Sequence, residues 1–101
     1  MRLSLDRDKA EGLYQLLSHL LRNYYPENIN ERLVQDIVNR ICEKLRKKVA
    51  GTFIKEYAIV LTPEEAKAYW IFFNQNTIDQ RFIQEKNIIE EQCAMIDRAY
   101  G

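Results

Sequence analysis

The side chains that most often carry chemistry in proteins are few and scattered in this sequence. His19 is the only histidine, and the two cysteines, Cys42 and Cys93, have no Cys-x-x-Cys spacing. A zinc site needs several Cys or His ligands at short spacings, and a catalytic base needs a partner that orients it. We therefore predict a surface or helix-end histidine and two packed, reduced thiols, with no metal and no cofactor.

The carboxylates and glycines also lack a catalytic pattern. Glu64 and Glu65 suit the start of a helix, and Glu90 and Glu91 suit a solvated helix face. The three glycines are isolated, so the sequence has no glycine-rich phosphate loop. These observations predict a protein that is not an enzyme. An enzyme or small-ligand protein with an aromatic-lined pocket stays open as a distant alternative.

A group of cations is the most distinctive polar feature. The group consists of Arg40, Lys44, Arg46, Lys47 and Lys48. Part of it falls at spacings of four and three, so one helix face could follow a phosphate backbone. The same cations complement the C-terminal end of a helix dipole, and Asp36 and Glu43 lie four residues before two of them. A self-paired, solvated face is the simpler interpretation, and nucleic-acid binding is the alternative function.

Aromatic residues are abundant, with six Tyr, four Phe and one Trp, and residues 68–73 form the uninterrupted apolar stretch AYWIFF. Aromatic side chains dominate both protein cores and the hot spots of interfaces. A core of this size cannot enclose all of them, so some should reach the surface. We predict a protein interface that includes Trp70, Ile71, Tyr14, Tyr24 and Tyr25.

Length and composition indicate one small domain over residues 1–101 with pseudo-repeat units of about 1–51 and 52–101. The formal net charge is zero, which argues against a general binder of polyanions or of membrane surfaces. Neither an export signal nor an apolar run of membrane-spanning length is visible. We therefore predict a cytoplasmic protein without membrane contact.

Local patterns predict the element order β-α-α-β-α-α, a mainly helical α+β fold. The residues Arg-Leu-Ser-Leu-Asp alternate as a strand, and Asp6 then caps a helix that runs until Pro26. A second helix extends from Asn28 to Gly51, and a second strand covers residues 53–61, most securely 57–61. Thr62 opens the third helix with a capping box, and Thr77 does so for the fourth, which extends to about Tyr100.

The two halves resemble each other in pattern, which suggests a βαα duplication. A shift of 56 residues aligns Asp6 with Thr62 and residues 12–17 with 68–73, and a shift of about 51 aligns Cys42 with Cys93. Generic helical patterning is the competing explanation. The helical hairpin between the strands makes them antiparallel, and pairing across a twofold axis would complete a four-stranded sheet in a homodimer.

The alignment also isolates one residue. Ile71 aligns with Gln15, so it should face outward, whereas Trp70 aligns with Tyr14 at the edge of the core. We therefore predict a non-enzymatic interaction or regulatory module that acts through self-association or contact with another protein. The alternative is a nucleic-acid-associated accessory protein that uses the basic end of the second helix.

Overall fold

The computed structural model describes residues 1–51, 56–76, 78 and 80–101. The elements run in the order β1 (Arg2–Asp6), α1 (Arg7–Arg22), α2 (Ile29–Ala50), β2 (Glu56–Val60), α3 (Pro63–Gln75) and α4 (Ile83–Tyr100), and a turn of 3₁₀ helix at Gln80–Phe82 precedes α4. The predicted order β-α-α-β-α-α and the mainly helical α+β class are confirmed.

Three helices begin where the sequence predicts, because a polar side chain caps each of them. Asp6, Asn28 and Thr62 each accept a hydrogen bond from the backbone N–H three residues later, at 2.9, 2.9 and 3.1 Å. At α3 the Glu65 carboxylate also accepts the backbone N–H of Thr62 at 2.9 Å, which completes the capping box.

The boundaries of other elements differ from the prediction. α4 begins at Ile83, later than predicted, and Phe82 occupies its N-cap position without a side-chain hydrogen bond. Thr77, the predicted cap, lies outside the described residues, as do residues 53–55 of the predicted second strand. α1 ends at Arg22, ahead of Pro26, and the Asn23 side chain donates to the carbonyl of His19 at 2.9 Å.

The two strands form an antiparallel ribbon with one apolar face. Leu3 lies opposite Ile59 and Leu5 lies opposite Tyr57, and all four side chains are buried. Leu61 extends the pairing, because its N–H donates to the carbonyl of Met1 at 2.7 Å. Alternate residues of a strand point to opposite faces, so this face lies on the helices and the other faces solvent.

The helices pack in a closed ring. Each helix contacts the next one along the chain, and α4 also contacts α1. The buried side chains of the ribbon and of all four helices form one continuous core. Tyr57, Tyr69 and Phe72 are its largest fully enclosed members. The ring places the sequentially separate halves against each other, so neither half has a core of its own.

Burial follows the alignment of the two halves. Under the shift of 56, Ala10, Leu13, Leu16 and Leu17 of α1 correspond to Ala66, Tyr69, Phe72 and Phe73 of α3, and all eight are buried. Under the shift of 51, Val38, Ile41 and Leu45 of α2 correspond to Ile89, Gln92 and Ile96 of α4, and all six are buried. The pattern agrees with a duplication, which stays a hypothesis.

One buried polar contact distinguishes the second half from the first. The Tyr69 hydroxyl is fully buried and donates a hydrogen bond to the side-chain oxygen of Gln92. Burial raises the pKa of Tyr69 well above its usual value, so the hydroxyl stays protonated as a donor. The aligned residues of the first half, Leu13 and Ile41, are both apolar. Both polar side chains are thus in the second half, where the hydroxyl of one donates its hydrogen bond to the amide oxygen of the other.

The Tyr69–Gln92 contact predicts a non-additive mutant cycle. Gln92→Leu should lower the free energy of unfolding by about 1–3 kcal/mol, because it leaves the buried hydroxyl without an acceptor. Tyr69→Phe should also destabilise, whereas the double variant should cost less than the two single changes together. Chemical denaturation measures all three, with Gln84→Leu on the exposed face of α4 as the control. Additive losses would contradict the prediction.

Candidate interaction surfaces

The outward face of α3 carries two of the predicted interface residues. Ala66, Tyr69, Phe72 and Phe73 point into the core, whereas Lys67, Trp70, Ile71 and Asn74 follow at helical spacing on the opposite side. Trp70 and Ile71 keep 38% and 37% of their surface exposed. Ile71 therefore lies on the solvent side, as its alignment with Gln15 suggests.

An apolar groove lies between this face of α3 and the C-terminal end of α4. It has a volume of about 270 Å³. The residues around it are Lys67, Trp70, Ile71, Ile96, Asp97, Tyr100 and Gly101. We call it the α3–α4 groove. The Lys67 ammonium lies 5.8 Å from the centre of the Tyr100 ring, within the range of a cation–π contact.

Only the α3 side of this groove was predicted from the sequence. Ile96 and Tyr100 were not predicted as interface residues, because no local pattern reports which end of α4 meets α3. The aligned halves offered the one available signal. Tyr100 aligns with Val49, so a larger aromatic residue stands at this position in the second half. Three residues that line the groove are Trp70, Ile71 and Tyr100. The aligned residues of the first half are Tyr14, Gln15 and Val49, each of them smaller or more polar.

The other predicted interface residues lie elsewhere. Tyr14 is half-buried in a cleft between α1 and α2. Tyr24 packs its ring edge-on against Phe72, with 5.3 Å between ring centres, and its hydroxyl donates to Gln75 at 3.3 Å. Partial burial, followed by the nearby Glu31 charge, raises the pKa of Tyr24. These two tyrosines therefore support the fold around them, and neither lines the α3–α4 groove.

Tyr25 belongs to a second exposed apolar region at the start of α2. It is 81% exposed, and Ile29 and Leu33, one helical turn apart, are 81% and 53% exposed. These side chains are separate from the α3–α4 groove, whereas Trp70 and Ile71 border that concavity. An apolar concavity can enclose much of a ligand's surface, so the α3–α4 groove is the stronger candidate for binding.

The basic group of α2 is partly turned inward. The Lys44 ammonium lies 2.6 Å from the Glu65 carboxylate and also donates to the Val60 carbonyl at 3.1 Å. Glu65 is nearly buried. Burial opposes ionisation, but hydrogen bonds from Lys44 and Thr62 outweigh it and lower the pKa of Glu65. Lys44 thus ties α2 to the end of β2 and to the start of α3.

Arg46 is also paired within the chain. Its guanidinium donates to both carboxylate oxygens of Glu43, three residues earlier, at 2.9–3.2 Å. The predicted partner of Glu43 was Lys47, so the acid pairs one residue closer than expected. Arg40, Lys47 and Lys48 are exposed, and no ion pair involves them within residues 1–51, 56–76, 78 and 80–101. Two of the five cations are therefore already neutralised by the protein itself.

Among the residues that the structure describes, the single histidine and the two cysteines show no hydrogen bond from a base to a nucleophile. Ser18, His19 and Cys42 line the same cleft as Tyr14, and the Ser18 oxygen lies 3.6 Å from the Cys42 sulfur. His19 stacks near Phe82, with 6.0 Å between ring centres. Both cysteines are free thiols. Burial raises the pKa of Cys42, and burial together with Glu90 raises that of Cys93 to about 11, which favours unreactive neutral thiols.

The described part of the chain contains neither a metal-binding cluster nor a membrane-spanning helix. No three His, Cys, Asp or Glu side chains come together there to form a metal site. None of the helices described combines the length and the apolarity needed to cross a bilayer. Comparisons with known protein families, with curated proteins and with solved structures found no match.

The Lys44–Glu65 contact predicts a pH-dependent loss of stability. Lys44→Met should lower the free energy of unfolding by about 1–2 kcal/mol at pH 7, because a nearly buried carboxylate loses its partner while Lys44 itself is partly solvated. Since the folded protein has the lower Glu65 pKa, the contribution is present above the unfolded pKa of about 4.3. It disappears as the pH falls through the folded value.

Urea denaturation of wild type and Lys44→Met between pH 7 and pH 3 measures this difference. Arg46→Met is the matched control, because its pair with Glu43 lies at the solvent-exposed surface and should contribute little to stability. A difference between wild type and Lys44→Met that stays constant across this pH range would contradict the assignment.

Proposed function

We propose that this protein is a small non-enzymatic interaction module that binds another protein through the α3–α4 groove. The observation that carries the proposal is the groove itself, where Trp70, Ile71 and Tyr100 expose apolar surface around one concavity. Partly exposed aromatic side chains around a pocket are typical of interface hot spots. The two free thiols fit a reducing compartment, so a cytoplasmic location is part of the proposal.

The charges around the groove favour a polypeptide as its ligand. The rim has one cation, Lys67, and one carboxylate, Asp97, so it attracts neither polyanions nor polycations as a class. A volume of about 270 Å³ accommodates one or two apolar side chains and is small for a whole cofactor. We therefore propose that a partner protein inserts an apolar anchor between Trp70 and Tyr100.

Nucleic-acid binding is less well supported as a function. The pairing of Lys44 with Glu65 and of Arg46 with Glu43 leaves a short basic surface on a chain with no net charge. Binding to a phosphate backbone strengthens with the number of unpaired cations that displace counterions. The internal pairs remove two of those cations, so this hypothesis is not the one we propose.

Site-specific photo-crosslinking tests the proposed groove. A benzophenone side chain at position 71 should give an adduct with one defined protein in the cells that make this chain. The same group at position 15, the exposed aligned position on α1, should give no such adduct. The crosslinked protein, once purified, should bind the wild-type chain in solution. Ile71→Gln should weaken that binding at least tenfold, because it replaces buried apolar surface with an amide.

Gln15→Ala is the matched control for that binding assay and should leave the affinity unchanged. Equal crosslinking from positions 71 and 15 would refute the groove as a specific site. An affinity that Ile71→Gln does not change would do the same. An adduct that contains only a second copy of this chain would replace the partner protein with self-association at the groove.

A further inference from the structure

A second site follows from the free edge of β1, where backbone groups are available for pairing. Met1 and Leu61 exchange two hydrogen bonds, so the antiparallel alternation directs the N–H and C=O groups of Leu3 and Leu5 toward β2. Those of Arg2, Ser4 and Asp6 point away from β2. We call these outward groups the β1 edge. In the described part of the chain, no backbone hydrogen bond from another element reaches Arg2 or Ser4.

A lysine hydrogen-bonds the backbone at the opposite edge of the ribbon, whereas in the described part of the chain no such contact reaches Arg2 or Ser4 of the β1 edge. At β2 the Lys44 ammonium donates to the outward carbonyl of Val60, and a lysine at a sheet edge discourages further pairing. Under the shift of 51, Met95 of α4 aligns with Lys44 of α2, and it lies beside β1. It is 40% exposed. The β1 edge therefore has an apolar residue where the β2 edge has a cation.

Open space lies beside the β1 edge. A concavity of about 290 Å³ is bordered by Arg2–Leu5 on one side and by Ile88 and Met95 of α4 on the other. Lys9 and Glu91 also line it, so with Arg2 it has two cations and one carboxylate. The space and its apolar wall allow another strand to approach β1.

The sequence of β1 is complementary to itself. Read against a second, antiparallel copy centred on Ser4, the strand Arg-Leu-Ser-Leu-Asp places Arg2 opposite Asp6 of the other copy, twice. It also places Leu3 opposite Leu5 on the inner face. Arg2 is exposed, and Asp6 uses one carboxylate oxygen to cap α1, which leaves its other oxygen for the arginine.

We propose that two copies of this chain associate through their β1 edges, antiparallel and centred on Ser4, to form a four-stranded sheet in the order β2-β1-β1-β2. The Ser4 residues exchange two backbone hydrogen bonds, and the Asp6 N–H of each copy donates to the Arg2 carbonyl of the other. The Asp6 carbonyl stays within α1. The symmetry is twofold and closed, so association stops at the dimer. This contact is separate from the α3–α4 groove.

The mass of the full chain in solution tests the proposal. Sedimentation equilibrium at micromolar concentrations should give twice the mass of one chain. Ser4→Pro should give the mass of one chain with an unchanged circular dichroism spectrum, because it removes an outward N–H that the folded monomer does not use. Arg2→Glu should raise the dissociation constant roughly tenfold, because it places like charges opposite each other at both ends of the pair.

Disulfide trapping tests the register and decides the question if Ser4→Pro does not fold. Ser4→Cys should form an intermolecular disulfide under mild oxidation, because directly opposed residues in a ladder lie within bonding range. Ala58→Cys, the neighbouring position on β2, is the matched control and should not. A monomeric wild type would overturn the proposal, as would efficient trapping at position 58 alone.

Ile71→Gln separates this proposal from the proposed function. It should leave the dimer mass unchanged while it weakens binding of the partner protein at the groove. A dimer that Ile71→Gln dissociates and Arg2→Glu does not would overturn the β1 contact and assign self-association to the groove. Loss of partner binding with an intact, Arg2-dependent dimer supports both sites independently.

Discussion

The antiparallel pairing of β1 with β2 is the constraint on which the rest of the structure depends. Each strand leads almost directly into a capped helix, at Asp6 for α1 and at Thr62 for α3. The register of the ribbon therefore fixes where both helices start, and the hairpins that follow have little freedom. A two-stranded ribbon is marginal without cover. Here the four helices provide that cover on one face, so sheet and helices stabilise each other.

Several buried positions agree between the aligned halves, and the positions that differ lie both in the core and at the surface. Tyr69 and Gln92 stand where the first half has two apolar residues, and the hydrogen bond between them makes the change tolerable. Lys44 meets Glu65, whereas the aligned residues Met95 and Lys9 cannot form such a pair. Each departure lies between the helices of a hairpin or at an edge of the ribbon. The aligned halves thus share several buried positions, but they differ at one buried polar pair and at the edges of the ribbon.

The sequence predicted the elements well because their signals are local. Capping side chains act over three residues, and apolar periodicity acts over one or two helical turns. The helix that begins at Ile83 was placed less well, because its N-cap residue, Phe82, provides no side-chain hydrogen bond. Likewise, a β-strand pattern reveals which residues are buried but not which edge of the ribbon another helix covers.

The candidate sites depended on contacts that no local signal contains. Lys44 reaches Glu65 across 21 residues, and Trp70 shares a groove with Tyr100 of another helix. The ion pair that a long side chain forms depends on how the helices pack. The spacing of charges along the sequence therefore could not predict that Glu43 pairs with Arg46 rather than with Lys47. The alignment of the two halves went further than the local patterns did, because it singled out Ile71 as an apolar residue on an outward-facing position.

The stability of a small domain limits how much apolar surface it can leave in water. A polar residue at position 71 should cost the core little, since the aligned position 15 holds an exposed glutamine. Scattered apolar residues are normal on protein surfaces, and Val60 or Ile83 need no further explanation. The α3–α4 groove differs because its apolar residues come from two helices and converge on one concavity. Convergence from separate parts of the chain is what a binding site requires and what chance exposure does not produce.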